Sequence, residues 1–169
     1  DLKSACLKIM NDEKSEQRSN RGGYQSSNIV DHKDFKKLKF SIEFAANKFA
    51  KNIGLKDNLK CDTLWINING YKDYNVLHSH PKCVFSGVYY ISVPENSGRL
   101  EFYSPNFEGI EYDWNNIVEK NLANSSIINF SLKDNLLILF PSFIKHMVEP
   151  NMNETEKRIS LAFNLAAGV

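Results

Sequence analysis

The feature that most constrains this chain is a series of short segments in which apolar and polar residues alternate. Alternation over about four to eight residues is typical of a strand with one buried face. About eight such segments follow residue 54 at roughly ten-residue spacing, a pattern that predicts a jelly roll or a barrel-like double sheet. The predicted strands are 63–70, 74–80, 84–93, 99–103, 126–132, 135–140, 145–148 and 158–165. Residues 106–124 show only weak strand and loop character.

Two helices are predicted ahead of the strands. The first spans 2–13, and the polar stretch 11–27 after it is predicted to be a loop. The second begins with Asp31 or Asp34 as its N-cap and ends at Gly54. Its apolar stripe consists of Phe35, Leu38, Ile42, Phe44, Ala45, Phe49 and Ile53.

The domain prediction is one domain over residues 1–169. Residues 1–54 form a helical N-terminal buttress, and residues 55–169 form the jelly-roll core. The chain starts at Asp1, inside the first predicted helix, so we expect a further N-terminal segment.

Composition excludes several classes of protein. The 21 basic and 20 acidic side chains give a net charge of +1, which argues against nucleic acid or an acidic membrane as a partner. No apolar run approaches the roughly 20 residues of a membrane helix. The three cysteines form no CxxC pair, so neither a disulfide framework nor a cysteine zinc site is predicted. We therefore expect a cytoplasmic protein.

The histidines are few and unevenly placed. His78 and His80 occupy positions i and i+2 of a predicted strand, so their side chains share one face and can reach a common metal ion. His146 lies on a later strand, whereas His32 opens the second helix and is predicted to be a surface residue. A hydrogen-bonded polar face is the alternative interpretation of His78 and His80.

The last predicted strand carries an arginine on its polar face. Arg158, Ser160, Ala162 and Asn164 alternate with four apolar residues, which describes a pocket wall better than a core. A buried guanidinium without a partner is costly, so an anion is expected beside Arg158. A carboxylate fits its planar fork, and the Ser160 hydroxyl can add a hydrogen bond. An internal salt bridge to Glu101 or Asp113 is the alternative.

Taken in order, these motifs resemble the iron(II)/2-oxoglutarate-dependent oxygenases, in which His-x-Asp/Glu is followed by a distal His and then by Arg or Lys. The chain also resembles, more specifically, small oxygenases of this type from marine bacteria and their phages. The resemblance covers about residues 20–166 and implies a double-stranded β-helix, the cupin-like form of the jelly roll. It rests on Asn20–Ser26, His78-Ser79-His80-Pro81, Ser86–Tyr90, Leu139–Ser142, His146-x-Val148-x-Pro150-Asn151 and Arg158-Ile159-Ser160.

The resemblance also implies an activity. Fe(II), 2-oxoglutarate and O₂ would be the cofactor and co-substrates, and oxidative decarboxylation would be coupled to hydroxylation of a small-molecule or peptidyl substrate. Residues 106–124 are expected to influence the choice of substrate. A cupin-like module that binds a metal and a small molecule, either without catalysis or with a different one, is the alternative function.

Residue by residue, the resemblance makes His78 and His146 iron ligands and places His80 where the family has a carboxylate. Arg158, assisted by Ser160, would bind the distal carboxylate of 2-oxoglutarate. Two further pocket residues, Asn75 and Tyr90, are predicted from their positions alone. Zinc also accepts three histidines, and Glu101 is an alternative source of the carboxylate.

Overall fold

In the computed structural model, two antiparallel five-stranded sheets face each other, and two helices pack against the outer face of one of them. The structure describes residues 1–56, 58–113, 116–121 and 123–168, with the side chains of Tyr112 and Asp113 excepted. The helices are α1 (Leu2–Asp12), a 3₁₀ turn (Lys33–Phe35), α2 (Lys36–Asn52) and α3 (Phe107–Asp113). The strands are β1 (Asn20–Arg21), β2 (Tyr24–Gln25), β3 (Leu59–Asn69), β4 (Tyr74–His78), β5 (Phe85–Ser92), β6 (Arg99–Tyr103), β7 (Ile127–Ser131), β8 (Leu137–Pro141), β9 (His146–Val148) and β10 (Arg158–Ala167).

The strand order is that of a jelly roll. One sheet has the order β1-β4-β9-β6-β7 and the other β2-β3-β10-β5-β8, so strands next to each other in sequence lie mostly in different sheets. Strand β10 runs down the centre of the second sheet, where it pairs with β3 and with β5. The prediction of a mainly β, jelly-roll fold is confirmed.

Alternation divides the second sheet into two faces. Leu64, Ile66 and Ile68 of β3, together with the apolar residues of β10, pack against Cys6 and Ile42 of the helices and form the main core. The opposite face carries the polar residues of the same strands toward the space between the sheets. Burying each large apolar side chain contributes about 1.5–3 kcal/mol. The apolar faces therefore fix which side of each strand packs against the helices and which side faces the other sheet.

The predicted apolar stripe of the second helix is partly wrong. Helix α2 buries Ile42, Ala46 and Ala50, whereas Phe44 is 67% exposed and Ile53 is 51% exposed. Residues four apart lie on one face of a helix, and the alanines on this face let α2 approach the sheet closely. The predicted stripe includes Ala45 but not Ala46 and Ala50, because it follows the large apolar residues.

The predicted N-cap is also wrong. The side chain of His32 accepts a hydrogen bond from the main-chain N–H of Asp34, and α2 continues directly from the 3₁₀ turn without a side-chain cap. The end of the helix is predicted correctly, because Gly54 has a φ of +78°, which glycine adopts without strain.

The predicted loop at 11–27 contains β1 and β2. Gly22 and Gly23 have φ values of +66° and +65° and carry the chain from one sheet to the other. A Cβ on Gly23 would lie 2.6 Å from the carbonyl oxygen of Ile68, so the close approach requires glycine. Strands of two residues have no alternation, and therefore no sequence signal.

Residues 106–124 contain α3, and residues 114, 115 and 122 lie outside the described part. Within the described residues, no helix combines the length and apolarity needed to span a membrane. The division of the domain at residue 54 stays a prediction.

Candidate active site

Two neighbouring strands of the first sheet bring three histidines together. His78 ends β4 and pairs in register with His146, the first residue of β9, and His80 follows two residues after His78. One ligand nitrogen from each ring lies within 4.8 Å of the other two. The ring centroids are 4.3 Å apart for His78 and His146, and 5.2 Å apart for His80 and His146.

Hydrogen bonds to the main chain fix the tautomers of two of these rings. Nδ1 of His78 lies 2.7 Å from the carbonyl oxygen of Val76, and Nδ1 of His146 lies 2.9 Å from that of Ile144. A carbonyl can only accept, so each Nδ1 carries the proton and each Nε2 keeps its lone pair. This is the arrangement by which proteins orient a histidine toward a metal ion.

Burial keeps the three imidazoles neutral. Desolvation lowers the pKa of His146 to about 3 and that of His80 to about 4, and mutual repulsion among the charged rings adds to both effects. The pKa of His78 is also lowered by burial. Only the neutral imidazole binds metal, so the site favours the metal-binding form at neutral pH.

The lowered pKa values predict how stability depends on pH. His80 and His146 take up protons near pH 6.5 in the unfolded chain, whereas in the folded chain their pKa values are about 4 and about 3. The free energy of unfolding of the metal-free protein should therefore fall as the pH is lowered from 6.5 to 5, by at most about 1.4 kcal/mol per pH unit for each histidine. Urea denaturation at a series of pH values measures this slope.

The variant His80→Gln provides the control. It removes one of the titrating groups, so its stability should decline less steeply over the same pH range. Ordinary carboxylates protonate below about pH 5 and contribute little within that window. Equal stability of the unmodified protein at pH 6.5 and pH 5 would contradict the predicted pKa shifts.

A pocket between the sheets extends from the histidines to Arg158. This inner pocket, which contains about 490 Å³ of empty space including its mouth, is also lined by Asn75, Tyr90 and Ser160. The structure thus brings all seven predicted site residues to one cavity. Their roles as ligands of a metal and of a co-substrate stay predictions.

The Arg158 guanidinium lies at one wall of the inner pocket and is only 1% exposed. Its Nη1 donates to the carbonyl oxygens of Ser97 and Glu149, the latter at 3.0 Å. Its Nη2 is buried and has no hydrogen-bond partner among the described residues, and the same is true of the Tyr90 hydroxyl. Burial lowers the pKa of Arg158 and raises that of Tyr90. An anionic ligand in the pocket could accept hydrogen bonds from both of these unsatisfied groups.

The remaining predicted residues lie close by. Ser160 stands opposite Tyr90 in the pairing of β10 with β5, and Asn75 donates from Nδ2 to the Ser19 hydroxyl at 3.3 Å. Ser160 also shares a face of β10 with Arg158, because residues two apart on a strand point to the same side.

Both alternatives that involve Glu101 are wrong. Phe102 pairs with His146, so its neighbour Glu101 points to the other face of β6 and contacts Arg99 at 3.9 Å. Among the described residues Arg158 makes no ion pair, and the Asp113 side chain lies outside them.

Three pocket residues escaped the sequence analysis. Trp65, Asn67 and Asn69 occupy the inward face of β3. The Oδ1 of Asn67 and the Nδ2 of Asn69 are buried and find no hydrogen-bond partner in the described part of the chain. The signal was present, because these residues alternate with Leu64, Ile66 and Ile68. Arg158 pairs with Asn69 and Ser160 with Asn67, so the polar faces of the two strands form one surface.

The sequence of residues 63–164 matches the model of a family described as "Putative 2OG-Fe(II) oxygenase". The chain belongs to this family. The match includes the three histidines and Arg158, and 2OG-Fe(II) oxygenases are oxidoreductases that use Fe(II), 2-oxoglutarate and O₂. No curated protein has a matching sequence.

Solved structures of 2OG-Fe(II) oxygenases share the fold. A prolyl-4-hydroxylase from Pseudomonas putida is 14% identical to this chain, with a TM-score of 0.67. The match covers 99% of this chain and 85% of the hydroxylase. The α-ketoglutarate-dependent epimerase SnoN from nogalamycin biosynthesis is 13% identical with a TM-score of 0.72, covering 98% and 70%. An oxidoreductase of the family from Burkholderia pseudomallei is 14% identical, with a TM-score of 0.52. The match covers 70% of this chain but only 48% of the length of the Burkholderia protein.

Proposed function

We propose that the chain is an Fe(II)- and 2-oxoglutarate-dependent dioxygenase. It would convert 2-oxoglutarate, O₂ and a C–H bond of a small-molecule or peptidyl substrate into succinate, CO₂ and an alcohol. One observation carries the proposal: three metal-competent imidazoles and a buried guanidinium nitrogen, unpartnered within the described ranges, line the same pocket. Neither feature alone would indicate this chemistry.

The donor set fits the metal. His78 and His146 present unprotonated Nε2 atoms whose orientation is held by main-chain carbonyls, and His80 completes a group of three nitrogens. Three protein ligands leave coordination positions free for other molecules. Iron(II), when bound there, supplies the redox chemistry that activates O₂.

The far wall of the pocket fits the co-substrate. Two carbonyl acceptors hold Nη1 of Arg158 and fix the plane of the guanidinium, which leaves Nη2 for a carboxylate. The hydroxyls of Ser160 and Tyr90 can donate to the same anion, and Asn75 lines the same pocket. An anion there would satisfy polar groups whose isolation costs about 1–3 kcal/mol each.

The imidazole of His80 favours a second candidate. A carboxylate at this position would lower the net charge of the metal site, whereas three neutral imidazoles leave the full charge of a divalent ion. Zinc accepts three histidines, so a zinc-containing small-molecule-binding module would also suit the ligand set.

Formation of succinate distinguishes the two candidates. Protein incubated in air with Fe(II), ascorbate and 2-oxoglutarate should form succinate, and protein loaded with Zn(II) should form none. His78→Ala, which removes one predicted ligand, provides the background rate. If the Fe(II)-loaded protein makes no more succinate than His78→Ala, the oxygenase proposal fails and the binding module is supported.

A further inference from the structure

A second cavity adjoins the inner pocket at the metal-binding histidines. We call it the outer cleft; it contains about 870 Å³ of empty space, including its mouth, and its walls include Glu16, Arg18 and Gln25. Ser19, Trp65, His78 and His80 line both cavities. A molecule in the outer cleft would therefore lie beside the metal site without occupying the space next to Arg158.

Most polar groups of the outer cleft already have partners. The side-chain Oδ1 of Asn28 accepts from the main-chain N–H groups of Val30 and Leu64. The Asn164 side chain is hydrogen-bonded at both ends, with Ser86 and with Thr63. These groups shape the wall and have little bonding capacity left for a ligand.

Gln25 is different. It is 3% exposed, and its Oε1 has no hydrogen-bond partner among the described residues. Its main chain is satisfied by the Ser15 hydroxyl and by the N–H of Glu16, so the side-chain carbonyl alone lacks a donor. A buried acceptor without a donor is unfavourable, so this position is suited to an N–H or O–H group of a ligand.

Beside Gln25 lies an ion pair at the rim of the cleft. Nε of Arg18 contacts Oε2 of Glu16 at 2.7 Å, and the Arg18 side chain is 72% exposed. No other side-chain bond of these two residues is found among the described residues, so the terminal guanidinium nitrogens and the second carboxylate oxygen are free to bind a ligand. The rim thus offers one positive and one negative group a few ångströms apart.

We infer that the outer cleft binds the substrate and that the substrate is a zwitterion of the α-amino-acid type. Its carboxylate would bind Arg18, its ammonium group would donate to Glu16 and to Oε1 of Gln25, and its side chain would lie along Trp65 toward His80. A purely anionic or an apolar molecule would leave the second carboxylate oxygen of Glu16 and Oε1 of Gln25 without a donor. The assignment of this molecule as the substrate rests on the proposed function; its binding does not.

Direct binding of defined probes tests the inference. The twenty common amino acids are each titrated into protein loaded with Zn(II) and 2-oxoglutarate, and binding is followed by saturation-transfer NMR. We expect at least one of them to bind, and its 2-hydroxy-acid and methyl-ester analogues to bind about tenfold more weakly or worse, because each loses one charge-assisted hydrogen bond.

Two variants and a control locate the binding. Arg18→Gln and Gln25→Leu should each weaken the amino acid about tenfold or more. Gln25→Leu removes an acceptor that has no partner, and Arg18 is exposed, so neither change should unfold the chain. Lys14→Gln removes an exposed cation of the same segment that does not line the cleft, and it should leave the affinity unchanged.

The inference is overturned if no amino acid binds, if the hydroxy acid binds as tightly as the amino acid, or if Arg18→Gln retains full affinity. Because NMR binding needs no turnover, the two proposals can fail separately. Amino-acid binding without any succinate would remove the proposed function, and with it the assignment of the amino acid as the substrate, but not the binding site in the outer cleft. Succinate formation that no amino acid stimulates, with no amino acid bound, would remove only the inference.

Discussion

Replacing His146 with alanine should lower the affinity for a divalent metal by at least about 100-fold. Changes that only disturb the orientation of a metal ligand already cost about 10–100-fold, and this change removes the ligand itself. His146 is buried, its Nδ1 is bonded to the Ile144 carbonyl, and its Nε2 faces the other two histidines. Titration with Mn(II), with free Mn(II) detected by electron paramagnetic resonance, measures the loss.

The control for His146→Ala is His32→Ala, which removes the histidine at the start of the 3₁₀ turn and should leave Mn(II) affinity unchanged. The His146 ring packs against Phe140 at 4.6 Å between centroids, so its removal also creates a cavity. Because such a cavity destabilises the fold, circular dichroism is needed to check that the variant is folded. A folded His146→Ala protein that binds Mn(II) within threefold of the unmodified chain would remove His146 from the metal site.

Replacing Arg158 with methionine should lower the affinity for 2-oxoglutarate by roughly 30-fold to several thousand-fold, with metal affinity retained. Removing one partner of a buried, hydrogen-bonded charge pair typically costs about 2–5 kcal/mol. The guanidinium is the predicted partner of the distal carboxylate, and its Nη2 has no other partner among the described residues. Isothermal titration of 2-oxoglutarate into the Zn(II)-loaded protein measures the effect.

The matched control is Arg99→Met. Arg99 is half-exposed, forms an ion pair with Glu149 at 2.8 Å and does not line the inner pocket. Its replacement should leave the affinity for 2-oxoglutarate unchanged. If Arg158→Met binds 2-oxoglutarate as tightly as Arg99→Met does, the assignment of the anion site to Arg158 is wrong.

Alternation was a reliable guide to the sheets because the long strands separate two chemically different spaces. In β3 and β10 one face packs on α1 and α2, and the other lines a polar pocket, so the sequence records both environments. Helix α2 was less predictable because Ala46 and Ala50 form its contact face while Phe44 is exposed. The short β1 and β2 could not be predicted, since their pairing depends on distant strands.

The site was predictable to the extent that its residues share strand faces. His78 with His80 and Arg158 with Ser160 each occupy positions i and i+2, which places them on one side of the chain. The unpartnered state of Nη2 could not be predicted, because it depends on how Ser97 and Glu149 approach the guanidinium from other parts of the chain. The outer cleft depends in the same way on the crossing of residues 16–25 between the sheets.

We propose that one pocket holds a metal at the three histidines and 2-oxoglutarate between that metal and Arg158. Absorption spectroscopy under anaerobic conditions detects both molecules at one site. Addition of Fe(II) and 2-oxoglutarate to the protein should produce a visible charge-transfer band that neither produces alone. The band should be absent in His146→Ala and should require far more 2-oxoglutarate in Arg158→Met. The absence of a band in the unmodified protein at saturating Fe(II) and 2-oxoglutarate would show that the pocket does not hold the metal and 2-oxoglutarate together.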